Sequence, residues 1–414
     1  MDSLRKKPHL PAVMLTKTKI KNLTHSSQMK KRFFAMAALL GASAPVAHAQ
    51  FTAGDLVVLR DGTGSAALSS AGTAIFLDEF STGGGSPVSS LNLTTATGTS
   101  FVNSGTATSE GQLTLSPDGS LIMVAGYEAA TGTAGVATAT STSVPRAFGS
   151  VDASGNFTII DTTGSVFSAN NIRSAATDGN GNYWASGATG VYNVTSSSQT
   201  QITTTPGNTR VIQDIGGNLW ISTGSTAPSG AASHGIYELT GLPTTSGNTA
   251  TLALSAGSSS SPYDFAVGNQ VISSVSTPVA YVADSDNYTT ASGVGGVEKW
   301  TFNGTSWVFQ YSLPSPLGTG NGGGAEGLAV DFSGADPVIY GTTAGASGVQ
   351  TELFSITDTG SGATATDLET APANEAFRGL VFAPVSSVPE PSVLTLLGCG
   401  LPALLWRLRR VVKS

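Results

Sequence analysis

Cysteine occurs once, at Cys399, in a chain of 414 residues, which excludes a disulfide scaffold. Charged side chains make up 11% of the chain, less than half the roughly 25% of an ordinary soluble domain. Histidine occurs four times, and His9, His25 and His48 all precede Gln50. His234 is therefore alone in the body, too little for a zinc site of the usual His-rich kind. The sequence has no G-x-S-x-G elbow, no P-loop and no dinucleotide fingerprint with an acidic partner. Between Gln50 and Val385 few stretches place apolar residues at helical spacing. The 51 glycines show no period of three, which excludes collagen.

The little charge present is segregated. Nine basic residues lie within residues 1–49, and Arg407, Arg409, Arg410 and Lys413 follow Trp406. The middle retains six, Arg60, Arg146, Arg173, Arg210, Lys299 and Arg378, against 24 acidic residues. A body this acidic repels phosphate backbones, so nucleic acid is not an expected partner. An apolar content of 40% argues against disorder. The implied surface is polar and largely uncharged, built of Ser, Thr, Asn and Gly.

The two ends read as addresses. Residues 1–28 are basic, lack an apolar period and are expected to be a disordered upstream extension. Met29 opens an export signal over residues 29–49, with Lys30, Lys31 and Arg32 as its positive start. Its apolar run, Phe33 to Ala44, is too short to span a bilayer. Ala47-His48-Ala49 is a small-x-small cleavage site that puts the mature start at Gln50. At the other end, residues 385–391 form a linker that closes on Pro389-Glu390-Pro391. Residues 392–414 are an apolar segment, expected to be a helix, with the basic end Arg407-Leu408-Arg409-Arg410 held cytoplasmic by the positive-inside rule. This tail closely resembles the PEP-CTERM sorting signal of Gram-negative bacteria. The resemblance implies transient anchoring in the inner membrane and cleavage near Pro389-Glu390-Pro391 by a membrane-embedded, exosortase-like enzyme. It further implies delivery to the cell surface or the extracellular polysaccharide matrix. An ordinary membrane anchor is the alternative. Such tails sit on unrelated cargos, so the tail implies a location and not an activity.

The body, residues 50–384, alternates short apolar or β-branched runs with Gly, Asp and Asn turns. Leu56–Leu59, Ala74–Leu77, Leu121–Val124, Phe157–Ile160, Val279–Val282 and Val338–Tyr340 are such runs. Their recurrence predicts an all-β sandwich, barrel or propeller, and a weak repeat selects among these. Leu115-Ser116-Pro117-Asp118-Gly119-Ser120-Leu121 reads as strand, turn, strand. Asp178-Gly179-Asn180-Gly181-Asn182-Tyr183-Trp184 is followed by Gly190-Val191-Tyr192, and Asp214-Ile215-Gly216-Gly217-Asn218-Leu219-Trp220 by Gly235-Ile236-Tyr237. Both resemble the repeat of sensor-type β-propellers. Gly-Asn supplies the positive φ of a tight hairpin, the Trp packs between neighbouring sheets, and the Asp accepts backbone N–H bonds at the turn. Asp264 and Asp331 are expected to anchor degenerate copies. At about 48 residues each, the body divides into about seven four-stranded blades. Six or eight blades are alternatives, and a right-handed β-helix is the competing fold. Leu380-Val381-Phe382 is expected to pair beside Leu56–Leu59 and close the ring.

Residues that could carry chemistry are sparse, and no catalytic residue is assigned. His234 reads as a loop residue. Asp284-Ser285-Asp286-Asn287 resembles the opening of an EF-hand loop, with Asp284 and Asp286 in the first and third slots and Asn287 beside them, and could place oxygens around Ca²⁺. The run departs from that pattern at Tyr288, Thr289 and Gly295, and an Asx-rich turn after Val282 is the competing reading. No other cofactor is expected. Arg173, Arg210 and Arg378 each stand just before an expected inner strand, so they could converge on one rim of the channel and bind an acidic or sugar ligand. Local pairing with carboxylates is the alternative. Trp300 and Trp307 flank the hairpin signal Asn303-Gly304 and are expected on opposite faces. Together these features describe a secreted, non-enzymatic propeller with a binding or structural role, the exosortase-like enzyme, export machinery and matrix polysaccharide being its partners. The alternative is an extracellular hydrolase or lyase acting on polysaccharide or lactone, with Ca²⁺.

Overall fold

An unbroken apolar run points successive side chains to opposite faces of a strand, so it is stable only where both faces are covered. Leu56 and Val58 pack into one apolar cluster with Tyr340 and Leu380, and Val57 and Leu59 into another with Ile122 and Val124. The same division recurs along the chain. Ile122 and Val124 face one cluster, Met123 and Ala125 the next. Val279 and Tyr281 face one, Ala280 and Val282 another.

The computed structural model describes residues 51–386 apart from 97–99, 197, 225–233, 258–259, 273, 290–293, 317–322 and 346–349. The chain divides into Met1–His48 and Ala49–Ser414, and every described residue belongs to the second unit. The signal residues Ala47, Ala49 and Gln50 lie outside the described residues, as do Pro389, Glu390, Pro391, Arg407, Arg409, Arg410 and the whole expected C-terminal helix. Among the described residues no helix is long and apolar enough to cross a membrane.

In chain order the strands are β1 (Leu56–Asp61), β2 (Gly72–Phe80), β3 (Ser89–Asn92), then a four-residue helix α1 (Leu93–Ala96) and β4 (Phe101–Ser104). Next come β5 (Thr114–Leu115), β6 (Leu121–Glu128), β7 (Arg146–Asp152) and β8 (Phe157–Thr163). These are followed by β9 (Ile172–Thr177), β10 (Tyr183–Gly187), β11 (Gly190–Thr195) and β12 (Ser198–Thr203). Beyond them lie β13 (Thr209–Ile215), β14 (Asn218–Thr223), β15 (Gly235–Leu239) and β16 (Thr251–Ser255). The chain continues through β17 (Pro262–Ile272), β18 (Val275–Thr289), β19 (Val294–Phe302) and β20 (Trp307–Leu313). The last five strands are β21 (Ala325–Asp331), β22 (Val338–Thr343), β23 (Glu352–Thr357), β24 (Thr366–Thr370) and β25 (Ala376–Phe382).

Four separate four-stranded sheets, β9–β12, β13–β16, β17–β20 and β21–β24, are antiparallel meanders. A nine-stranded sheet contains two more meanders, β25-β1-β2-β3 and β5-β6-β7-β8, bridged by β4, which pairs with β2 and β6. The first strands of successive meanders touch in series, β5 on β9, β9 on β13, β13 on β17, β17 on β21, β21 on β25 and β25 back on β5. Each apolar cluster fills the space between two consecutive meanders, the last of them joining β21–β24 to β25-β1-β2. Trp184 and Trp220 are buried in two such clusters, as their position in the repeat predicts.

The turn aspartates behave as expected at four of five places. Asp118, Asp178, Asp214 and Asp331 accept N–H bonds from Ser120, Asn180, Gly217 and Ser333 at the hairpin leaving each first strand. Asp264 does not, since it is buried inside β17. β18 does not end at Val282 but runs on through Asp284, Asp286 and Asn287; its register against β19 breaks between Asp284 and Thr289, and the Asp286 N–H donates to Asp284 Oδ1 as in an Asx turn. The hairpin between β19 and β20 pairs Phe302 with Trp307, so four residues, 303–306, connect the strands, and within them Asn303 N–H donates to Ser306 O at 3.1 Å. Trp300 pairs with Phe309 and Phe302 with Trp307, which puts both Trp residues on one face of that hairpin.

Ring closure takes the predicted form. Leu56, Val57 and Val58 pair antiparallel with Phe382, Val381 and Leu380. Leu380→Ala, at a fully buried position of β25, is expected to cost about 2–5 kcal/mol in urea unfolding. Val88→Ala, at 61% exposure, is expected to change stability by less than about 0.5 kcal/mol. Equal effects would show that the joint does not stabilise the fold.

Candidate functional site

Five of the six first strands depart from a regular ladder at one matching place. Register with the neighbouring strand shifts between Ile172 and Ser174, Thr209 and Ile212, Pro262 and Phe265, Ala325 and Leu328, and Phe377 and Leu380. One extra residue is inserted each time, and such a bulge bends the strand and re-aims a side chain. The first inserted residues are Arg173, Arg210, Tyr263, Glu326 and Arg378, all large and polar. Before β5 the same place is taken by Gln112, whose N–H donates to the Arg173 carbonyl at 3.2 Å. Arg173, Arg210 and Arg378 therefore lie within their strands, not just before them.

Five of these six side chains, all but Gln112, form one electrostatic neighbourhood. The Arg210 guanidinium lies 3.9 Å over the Tyr263 ring and donates to Ser261 Oγ at 2.8 Å and Pro262 O at 2.9 Å. Arg173 donates to Asn208 Oδ1 at 2.6 Å and Thr209 O at 3.0 Å. Arg378 pairs with Asp61 at 3.0 Å and donates to Gly105 O at 3.2 Å. Burial pushes the Glu326 carboxyl up to about 7, with Arg378 and Arg210 opposing. Burial pushes the Arg173 guanidinium down to about 10, and Arg210 beside it acts the same way. Burial also works against the charge of Arg378, but Asp61, Glu326 and Glu110 hold that guanidinium above its usual range. Next to the ring, Glu110 accepts from Tyr127 Oη at 2.5 Å, Asn171 Nδ2 at 2.7 Å and Ser104 N at 2.9 Å, and burial raises it to about 7.

Further along the same strands lies a cavity of about 140 Å³, lined by Leu113, Gln213, Asp264, Leu328 and Val381 among others. Asp264 accepts from Gln213 Nε2 at 2.9 Å and from the N–H groups of Phe265 and Leu328 at 2.8 and 3.1 Å. Burial nevertheless raises it to about 8. Sequence reasoning finds the three arginines by their rarity. It misses Gln112, Tyr263 and Glu326, whose only sign is a polar residue at the start of an apolar run.

The other basic side chains are committed to joints within the fold. Arg60 pairs with Asp78 at 2.5 Å and Glu375 at 3.1 Å. Arg146 donates to the carbonyls of Val144, Ala137 and Asn170. Lys299 pairs with Asp358 at 2.6 Å, where Tyr281 and Tyr311 also donate at 2.5 and 2.6 Å. Among the described residues no lysine or arginine is exposed.

The calcium constellation is not assembled. Asp284 is buried, Asp286 half-buried and Asn287 exposed along one strand, and no group of three or more acidic, His or Cys side chains fit to hold a metal occurs among the described residues. Asp284 instead accepts from Ser260 Oγ and from the N–H groups of Ser261 and Asp286, both at 2.9 Å. Glu298 lies against it, and burial, reinforced by the Asp284 charge, raises Glu298 to about 8. His234 Nδ1 contacts the Ser260 carbonyl at the mouth of β15.

Radial four-stranded meanders around a polar axis define a β-propeller. No protein-family model and no curated protein matches the chain. It is similar to PorZ, a surface component of the type-IX secretion system of Porphyromonas gingivalis, at 11% identity and a TM-score of 0.36, over 72% of this chain and 44% of that one. It is similar to Citrobacter koseri AztD at 9% identity and a TM-score of 0.30, over 76% and 70% of the two chains. The β-propeller domain of the Trilobed protease from Pyrococcus furiosus aligns at 10% identity and a TM-score of 0.34, over 77% and 95%. The chain thus spans less than half the length of PorZ, and its fold rests on its own strand pairing.

Glu110, Asp264, Glu298 and Glu326 all hold their protons to a higher pH folded than unfolded. The stability they contribute is full below about pH 4 and is lost as pH rises towards about 7 to 8. The thermal midpoint is expected to be higher at pH 5 than at pH 8.5, each tenfold change in acidity being worth about 1.4 kcal/mol. Glu298→Gln, which keeps the neutral shape, is expected to flatten the slope. A midpoint that rises with pH over this range would contradict these assignments.

Proposed function

We propose that the chain is an exported six-bladed β-propeller, held at the cell surface or in the extracellular matrix, that binds or organises rather than catalyses. Six four-stranded meanders, first strands in serial contact and one apolar cluster between each consecutive pair support the blade number. On this reading the seven blades suggested by length become six because α1 and β4, and residues 129–145, are additions to the four-stranded units.

The observation that carries the role is the fate of the cations. All six basic side chains of the described body are drawn into joints or the axial ring, which leaves an acidic and neutral surface. Such a surface suits neutral, hydroxyl-rich polysaccharide and not polyanions. The address comes from the ends: the 29–49 export signal, and the Pro389-Glu390-Pro391 tail with Arg407, Arg409 and Arg410, processed by an exosortase-like enzyme. One observation favours the alternative, a hydrolase or lyase: Glu326, raised to about 7 on the axis, has the proton affinity of a general acid. Turnover of matrix polysaccharide or a lactone that disappears in Glu326→Gln or with chelator would establish that reading instead.

The test of the address is fractionation of cells producing the full chain or a version ending at Ser387. The shortened chain is expected to lose surface retention and to be recovered in the medium or periplasm. Equal surface retention of the two would overturn the sorting assignment.

A further inference from the structure

The axial ring contains buried polar atoms that the fold leaves without a hydrogen-bond partner. They are both ends of the Gln112 amide, Glu326 Oε2, Arg173 Nε and Arg210 Nε. Gln112, Glu326 and Arg173 are 0%, 3% and 8% exposed, and a buried polar group without a partner costs about 1–3 kcal/mol. Charge is unbalanced as well. Arg378 has its carboxylate in Asp61. Arg173 and Arg210 have only carbonyl, amide and hydroxyl acceptors, and neither forms an ion pair among the described residues. Buried guanidinium groups are ordinarily met by a carboxylate or phosphate, since the desolvation cost is otherwise uncompensated.

These atoms lie on adjacent strands of one circle. Gln112 is bonded to the Arg173 backbone, Arg173 and Arg210 act on one another electrostatically, and Glu326 responds to both Arg210 and Arg378. Arg210 is the one member of the six that is half-buried, the others being buried. The set combines donors (two Nε–H groups and the Gln112 NH₂) with acceptors (Gln112 Oε1 and Glu326 Oε2). A bare halide meets only the donors, and a neutral polyol leaves the positive charge unanswered. A molecule with a carboxylate next to a hydroxyl meets both.

We propose that the ring binds a small hydroxycarboxylate, its carboxylate on the Nε–H groups of Arg173 and Arg210 and its hydroxyl donating to Glu326 or Gln112. The assignment rests on the binding role proposed above and adds, at the axis, a small acid to the neutral polysaccharide that suits the outer surface. That chemistry is shared by free hydroxy acids and by uronic acids at a polysaccharide end.

Calorimetry on the full chain tests this, with glycolate, lactate and glucuronate as probes, acetate lacking the hydroxyl, glycerol lacking the carboxylate, and chloride. The hydroxy acids are expected to bind with one site per chain, and acetate about tenfold more weakly. Glycerol and chloride are expected to give no binding. Glucuronate binding without glycolate or lactate would identify a sugar-chain end as the source, and the reverse a free acid. Arg210→Gln is expected to weaken binding about 30-fold. Glu326→Gln, a near-isosteric change that spares the fold if Arg210→Gln does not, is expected to narrow the preference for lactate over acetate, a neutral amide oxygen accepting more weakly than a carboxylate. Equal affinity for glycerol or chloride, no heat from any acid at about 10 mM, or a folded Arg210→Gln protein that binds unchanged would each overturn the proposal. If ligand binding fails while the Ser387 truncation still loses surface retention, only the ligand assignment falls.

Discussion

Pairing of β25 with β1 is the contact on which the remaining geometry depends. Every other meander is built from strands that follow one another in sequence, so each is closed locally at small entropic cost. The joint is different: the Arg378–Asp61 ion pair at its axial end spans 317 residues. Without it β1 and β21 would each lose a neighbour, and the cluster of Leu56, Val58, Tyr340, Leu353 and Leu380 would open to water. The edge so exposed would be apolar and without charge to guard it. Asp61 sits on β1 and Arg378 on β25, so the axial ring is complete only in the closed chain.

The bulges convert that closure into a site. A regular ladder would keep inner-strand side chains alternating between the two neighbouring clusters. In five of the six meanders the inserted residue breaks the alternation once and frees one side chain to face the axis. Hydroxyls of the preceding blade then fix the bulge backbone. Ser186 Oγ donates to the Arg210 carbonyl at 2.7 Å, and Thr342 Oγ to the Arg378 carbonyl at 2.6 Å. Gly327 and Gly379 stand in the second bulge place where a Cβ would lie within 3.0 Å of neighbouring backbone. The site is thus held by contacts between blades, and its geometry depends on how neighbouring blades are seated.

Signals that act within a few residues were readable, and signals that act between blades were not. The Gly-Asn turns, the packing of Trp184 and Trp220 and the runs buried on two faces follow from local rules. The closing strand was legible because an apolar triplet near the end of the body needed a partner and the start of the body offered one. The grouping of strands into meanders was not legible, because spacing along the chain counts insertions as though they were strands. Asp264 misled because a turn aspartate and a buried aspartate look alike in sequence; only its place after Tyr263 in the bulge separates them. The Asp284 run is ambiguous in a similar way, since a carboxylate answered by backbone N–H groups carries the same residues as an ion site. Of the ring, the arginines were visible against a cation-poor background, and Gln112, Tyr263 and Glu326 had no such contrast.

The distribution of charge limits what can reach the ring. With its basic side chains turned inward, the described surface presents acidic groups and neutral Ser, Thr and Asn. The field of such a surface opposes an approaching anion in proportion to the anion's charge, and screening at physiological salt acts over about 8 Å. A polyuronate laid along the surface meets that field at every residue. A single carboxylate meets it once and, beside Arg173 and Arg210, enters a region where two guanidinium groups outweigh it. Interior cations combined with an acidic exterior therefore discriminate by ligand charge and size before any hydrogen bond forms, favouring one small acid, or one chain end, over the polymer's length.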